Sequence, residues 1–552
     1  MYHRAARRAA QIAAQLMTEL ADDREEESFE APVQITSGEE FHEEDQHDLL
    51  PPVNEDGDHT DDYLYEIDAE YLHDMAEGTE SDSSSEEERT PNIDLISHGQ
   101  QWTRLPTGER SGRAPRRNVF QERIGVRRGI NPRSPYEAFL MFFEDIILES
   151  TRFTNLEGRR LTFLQNRNLP KFAPKKHWKS VSDDEMNAFF GLHIIGGIFK
   201  ARHRSLETLW SERDGLPAYR ATMSLRRFKE IKRCFRVDDR TKRDAEDPLS
   251  PVRNVWTIFN QKLGLFYDPE PCLTIDEQLV EFHGNVKFRI YIPSKPGSYG
   301  MKIIWLNEAS TGYALAGLPY IGAKTLSEDE KSNMSLCEAS VMKVASSYLG
   351  RAHNITCDNW FTTCPLADKL LECRTTIVGT MRRNRKYIPQ AAKSIRGRRK
   401  KSAEYFKSED RMICSYYDKG SKPVILLSTM HSCGSNDPSG LPEVVAFYNS
   451  TKKGTDDMDH VVRLHRTGRK CRRWPYVFVF NMVDIALLNS SIISKKLNQP
   501  ESDRRSNQFH INFCLDLGYE LIDAEVHKHL NTNMNQKMRR AAELFGILSS
   551  IA

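Results

Sequence analysis

Apolar positions along the chain change period several times, and each change predicts a different kind of element. From residue 134 to about 268 the period is helical. Ser134-Pro135-Tyr136-Glu137 combines a capping box with proline at the first helical position, and Phe139, Phe142, Phe143, Ile146 and Ile147 follow at helical spacing. A second capping box, Ser182-Asp183-Asp184-Glu185, opens a helix through Phe189, Phe190, Ile194, Ile195 and Ile198. Across 224–235, Leu225, Phe228, Ile231 and Phe235 mark one face, while Arg226, Arg227, Lys229, Lys232 and Arg233 fill the others. That helix buries one side and offers a basic one, whose five cations are candidate contacts to nucleic-acid phosphates.

The texture then turns to strands. Cys272 to Phe282, Lys302 to Glu308 and Tyr313 to Ile321 predict three strands, the last two joined by the turn-prone Ala309-Ser310-Thr311-Gly312. They read as an antiparallel meander. A helix over 335–349, a strand at Asn354 to Cys357 running into Asp358, a helix over 365–373 and a strand over 375–379 complete the order β-β-β-α-β-α-β, with acids ending the first and fourth strands. This is the order of an RNase H-like fold. Residues 381–442 break into basic and polar segments with β-rich pieces at 412–417 and 424–429, too long for a loop in a compact core, and read as an inserted β-rich subdomain. Val444 to Tyr448 reads as one more strand, Thr455 to Leu464 as a helix, and Tyr476 to Ile493 as a long buried helix.

Charge redraws the front of the chain. The formal net charge is zero, yet residues 21–90 hold 27 acidic residues against two arginines, so the globular part is strongly basic. The acidic stretch is expected to be disordered, having too few apolar anchors to offset ordering entropy. Within it Tyr63, Leu64, Tyr65, Ile67, Tyr71 and Leu72 are candidates for folding on a host partner protein. Residues 1–20 predict a short amphipathic helix. From 108 to 133 eight arginines stand among glycine and proline, as a solvated linker or as a basic arm for nucleic-acid phosphates and nuclear import. The expected organisation is 1–107 acidic, 108–133 basic arm, 134–268 helical, 269–380 and 443–495 a split α/β core, 381–442 the insertion, and 496–552 a helical tail.

Ten cysteines are present without a Cys-x-x-Cys pair, which reads as reduced thiols and supplies no structural zinc motif. The longest apolar stretch carries Asn481, Asp484 and Asn489, costly in lipid, so no membrane partner is expected.

The candidate chemistry is carboxylate. Asp276 and Asp358 end strands, and Asp456, Asp457 and Asp459 lie in the first turns of a helix after Gly454-Thr455. Asp456 and Asp459 share one face with His460 by spacing. Hard oxygen donors from three segments suit Mg²⁺, and a pair of such ions can activate a water or hydroxyl in phosphodiester displacement.

Five blocks carry a resemblance: Thr274-Ile275-Asp276-Glu277-Gln278-Leu279; Tyr291-Ile292-Pro293-Ser294-Lys295-Pro296 with Tyr299-Gly300-Met301-Lys302; Asn354-Ile355-Thr356-Cys357-Asp358-Asn359-Trp360-Phe361-Thr362; Tyr448-Asn449 with Gly454 to Asp459; and Arg473-Trp474-Pro475. In this order, over about residues 134–530, they look like the signature blocks of piggyBac-type DDE transposases. The resemblance implies an RNase H-like core with an inserted domain, preceded by a helical dimerisation and DNA-binding region. It also implies two Mg²⁺ per site with Mn²⁺ as a substitute, homodimers, and cut-and-paste movement of double-stranded DNA into TTAA targets in the nucleus. Carried across by motif position, Asp276, Asp358 and Asp456 are the metal-binding triad and Asp459 an additional acid. Asp457 competes with Asp456 for the third position. Arg463, Arg466, Arg469, Lys470, Arg472 and Arg473 are candidate phosphate contacts, as are Lys295 and Lys302. Trp474 stacks on an exposed base or anchors the helix that follows it. The tail lacks the cysteine- and histidine-rich zinc module that closes many family members, which leaves room for an alternative: a host-adopted DNA-binding or chromatin protein without transposition activity.

Overall fold

The computed structural model describes residues 95–106 and 118–531, apart from 294, 296, 332–333, 419–420 and 499–507. The expected helix over 1–20, the acidic stretch, the partner-binding segment, the first half of the basic arm and the end of the tail lie outside these residues.

The strands of the central sheet are β1 (Thr103–Leu105), β2 (Cys272–Glu281), β3 (Arg289–Tyr291), β4 (Tyr299–Glu308), β5 (Ala314–Pro319), β6 (Asn354–Cys357), β7 (Thr376–Met381), β8 (Ser402–Ser408), β9 (Arg411–Tyr417) and β10 (Val424–Ser428). They form one ten-stranded sheet in the order β1-β8-β9-β10-β7-β6-β2-β4-β3, with β5 also on β4. The β2-β4-β5 meander is antiparallel as expected, whereas β2, β6 and β7 run parallel, so the sheet is mixed. Such a sheet needs helices on its faces to cover its apolar rows.

The principal helices are α1 (Pro135–Arg167), α2 (Asp183–Ile198), α3 (Leu225–Cys234), α4 (Arg253–Leu263), α5 (Leu336–Ala345), α6 (Cys364–Glu372), α7 (Glu443–Thr451), α8 (Gly454–Leu464), α9 (Trp474–Asn498) and α10 (Gln508–Asn531). Both expected N-caps form: Ser134 Oγ accepts from Glu137 N at 3.3 Å, and Ser182 Oγ from Glu185 N at 3.2 Å. The predicted apolar faces are buried, and Phe143, Phe190, Phe235 and Phe480 meet at ring centroid separations of 5.6–6.1 Å in a shared aromatic core. α9 runs through that core. Its polar residues make hydrogen bonds there: Asn481 donates to Gln278 Oε1 at 3.0 Å, Asn489 donates to and accepts from the Ala314 backbone at 2.9 Å, and Asp484 accepts from Thr467 through one of its two oxygens.

Three expectations are corrected. Val444 to Tyr448 lies in α7, not in a strand. Pro442 immediately before it and Glu443 in its first turn are helix-start signals, and a five-residue apolar run cannot distinguish the two states by period. The strands of 381–442 do not stand apart: β10 pairs with β7, and β8 to β10 extend the central sheet. Residues 102–105, expected in the acidic front region, also take part in the fold. Trp102 is buried, its Nε1 donates to the Tyr387 carbonyl at 2.9 Å, and β1 pairs with β8.

Candidate active site

The parallel register between β2 and β6 sets Ile275 beside Cys357, so the next residues lie side by side: Asp358 just past the end of β6, as expected, and Asp276 midway along β2, not at a strand end, because β2 runs on to Glu281 in pairing with β4. Each is then tied down locally. Asp276 Oδ1 accepts from the Glu277 backbone N–H at 2.8 Å, and Asp358 Oδ1 accepts from that of Trp360 at 3.0 Å. Glu277, the next residue of β2, joins them, and carboxylate oxygens of Asp276, Glu277 and Asp358 all lie within 4.8 Å of one another. Sequence reasoning missed Glu277 as a member, because alternation along a strand sends neighbouring side chains to opposite faces.

The electrostatics follow from that crowding. Desolvation and then the neighbouring Glu277 and Asp358 carboxylates push Asp276 well above the usual carboxylate range, against the pull of Lys295. Asp358 is pushed up to about 6, by desolvation first and Glu277 second. Glu277 is held below its usual range, since Lys302 and Lys295 outweigh its own desolvation. Three acids this close, short of compensating cations, are a donor set that fits a hard divalent ion.

Helix α8 comes in against the β2–β4 pair. A Cβ on Gly454 would sit 2.7 Å from the Glu308 carbonyl oxygen, so this glycine is what lets the helix start abut the sheet. Thr455 Oγ1 donates to Asn307 Oδ1 at 2.9 Å. Asp459 is buried and accepts from Gln278 Nε2 at 3.1 Å, while Gln278 Oε1 accepts from Trp305 Nε1 at 3.0 Å. Desolvation raises Asp459, opposed by Gln278 and by Arg463 at 3.3 Å. Asp456 faces largely to solvent, with side-chain exposure of 62%, and lies 3.9 Å from the Lys295 ammonium, which itself donates to the Glu277 carbonyl at 3.2 Å. It stands at the edge of the cluster. Asp457 is exposed.

The expected phosphate contacts divide in two. Arg226, Lys229, Arg233, Arg463, Lys470 and Arg472 are exposed, and Lys232 and Lys295 partly so; Arg226, Lys229 and Arg463 pair with the acids Glu230, Glu207 and Asp459. Five others are less exposed, and their cationic groups are held by the protein itself. Arg227 is buried in a bidentate pair with Glu185 at 2.6 and 2.7 Å. Arg466 donates to Glu281 Oε2 at 3.0 Å and to its carbonyl at 3.2 Å. Arg469 donates to the carbonyls of Ala201, at 2.7 Å, and Arg204. Arg473 donates to the last carbonyls of α3, those of Lys232, Arg233 and, at 3.1 Å, Phe235. Lys302 is buried between Glu277 and Trp360. Trp474 is half-buried at the start of α9, edge to face with Phe288 at 5.2 Å, the packing of an anchor.

A mixed sheet flanked by helices, with acids delivered from adjacent parallel strands and a further acidic helix laid against them, defines an RNase H-like core of the DDE class. The family model described as Transposase IS4 matches residues 134–491. The chain belongs to the piggyBac transposase family. It is 32% identical to the protein in the cryo-EM structure of a piggyBac transposase synaptic complex with hairpin DNA, with a TM-score of 0.69 over 77% of this chain and 87% of that one. It is also 23% identical over 378 residues to human PiggyBac transposable element-derived protein 2, a match covering 65% of this chain. The chain spans 61% of the length of that curated relative.

Proposed function

We propose that this protein is a nuclear, divalent-metal-dependent DNA transposase that cuts and joins double-stranded DNA at TTAA targets as a homodimer. The observation that carries the reading is the convergence of Asp276, Glu277 and Asp358 within 4.8 Å, from the middle of β2 and the end of the adjacent β6. Asp276, Asp358 and Asp456 would hold the ions, with Asp459 behind them. When bound, Mg²⁺ or Mn²⁺ would supply an activated water or 3′-hydroxyl and neutralise the charge on the leaving oxygen. The chain's own part is positioning. Backbone N–H groups of Glu277 and Trp360 fix the carboxylates of Asp276 and Asp358, and Gln278 fixes Asp459. Exposed cations on α3 and in 470–472 offer counter-charge for a DNA backbone, and Arg473 staples these two segments together.

The likeness to the human transposable element-derived protein supports a second reading, a host-adopted DNA-binding protein without strand transfer. One experiment separates them. Purified protein with Mg²⁺ and a DNA end flanked by TTAA should nick at the end, and Asp276→Asn should abolish nicking while DNA binding persists. DNA binding by wild type without any nicking selects the second reading.

A further inference from the structure

Lys302 touches both halves of the carboxylate cluster without belonging to it. It sits on β4 opposite Leu279 of β2, and its side chain is 10% exposed. Its ammonium lies 3.7 Å from Glu277 Oε2 on one side and 3.7 Å from the centroid of the Trp360 ring on the other. The Tyr320 ring, at 5.6 Å, completes the enclosure and meets Trp360 edge to face at 6.3 Å. Trp360 in turn donates the backbone N–H that fixes Asp358, and its carbonyl accepts from Arg385 at 2.8 Å. The ammonium therefore joins the stretch of β2 bearing Asp276 and Glu277 to the loop bearing Asp358.

We propose that Lys302 is a positioning residue for the divalent-ion site, acting through Glu277 and Trp360, and makes no contact with DNA. This rests on the metal-dependent reading above. An ammonium shielded from water by two rings and held on an indole face has little freedom to reach a phosphate. What it can do is set the spacing between that stretch of β2 and the loop.

The sign of the test is diagnostic, because removing a nearby positive charge would by itself tighten cation binding. Positioning predicts the opposite. Mn²⁺ affinity, read from the free-ion electron paramagnetic resonance signal of the full chain, should fall about tenfold in Lys302→Met. Lys302→Arg, which keeps the charge and can stack on the ring, should recover most of it. Trp360→Phe should lose part of it, and the double variant Lys302→Met/Trp360→Phe should bind no more weakly than Lys302→Met alone. DNA affinity in EDTA, measured well below the unfolding midpoint of each variant, should hold within error. Unchanged or raised Mn²⁺ affinity in Lys302→Met would overturn the assignment, as would a fall in EDTA-measured DNA affinity. Should Lys302→Met not fold, Trp360→Phe carries the test and must lose Mn²⁺ affinity. Wild type that binds no Mn²⁺ overturns the metal reading and this one with it, whereas wild-type binding with an unaltered variant overturns only the role of Lys302.

Discussion

Asp484 is wholly buried on α9, where its Oδ1 accepts from Thr467 N at 3.0 Å and Oγ1 at 2.6 Å while Oδ2 has no hydrogen-bond partner. Burial pushes its pKa up to about 7, against those bonds and Arg466. A folded pKa above the unfolded value near 4 means that the native state holds the proton over that interval. Its contribution is therefore complete below about pH 4 and is lost as pH rises to about 7, a span of about 4 kcal/mol at most. His193 works the other way. Burial lowers it to about 3, so its contribution is present above about pH 6.5 and is lost as pH falls. Asp484→Asn keeps the acceptor and removes the charge. Urea unfolding should find this variant closer to wild type at pH 5 and more stable than wild type at pH 8, and a constant difference across that range would refute the protonated Asp484. At this scale the site was legible where a residue's role depends on local order: Asp358 could be read from its strand end, and Asp276 from the apolar run that leads into it, although its strand continues past it. Glu277 and Gln278 could not, because their roles depend on contacts with Lys302 and Asp459 that no spacing along the chain encodes.

Helix α3 shows what period predicts and what it leaves open. Its apolar face was readable from Leu225, Phe228, Ile231 and Phe235, but period alone assigned five cations to the outside. One of them turns inward, since Glu185, in the first turn of α2, is buried and needs a partner. Removing Arg227 leaves that carboxylate uncompensated, so Arg227→Ala should cost about 3–5 kcal/mol in urea unfolding. Arg226→Ala and Arg233→Ala, on the exposed face, should leave stability within about 0.5 kcal/mol. On the DNA-binding reading each should also flatten the dependence of log affinity on log salt by about one unit. Equal stability losses in all three variants would refute the division. The same limit explains the larger misreadings: α7 was too short for its period to decide, and the pairing of β10 with β7 is a long-range choice that residues 381–442 do not announce.

Taken whole, the chain separates its charge. Residues 21–90 carry a net charge of −25, set against a basic remainder. An acidic segment tethered to a basic body is an intramolecular competitor for DNA, and its effective concentration is set by the connecting chain and not by dilution. The structure determines where a deletion can be made. Trp102 is buried, its backbone N–H donates to the Leu95 carbonyl at 2.9 Å, and β1 closes one edge of the sheet, so a truncation reaching 105 would damage the fold and confuse the result. Removing only 21–90 spares that edge. The truncated protein should bind a DNA end more tightly than the full chain at about 50 mM salt, and the two should converge as salt approaches about 300 mM, where screening weakens both the tether's competition and the contacts to phosphate. Its unfolding midpoint should match that of the full chain. Equal affinities at low salt would mean that the acidic segment acts elsewhere, on a protein partner, and a gain that persists at high salt would point to a contact other than charge.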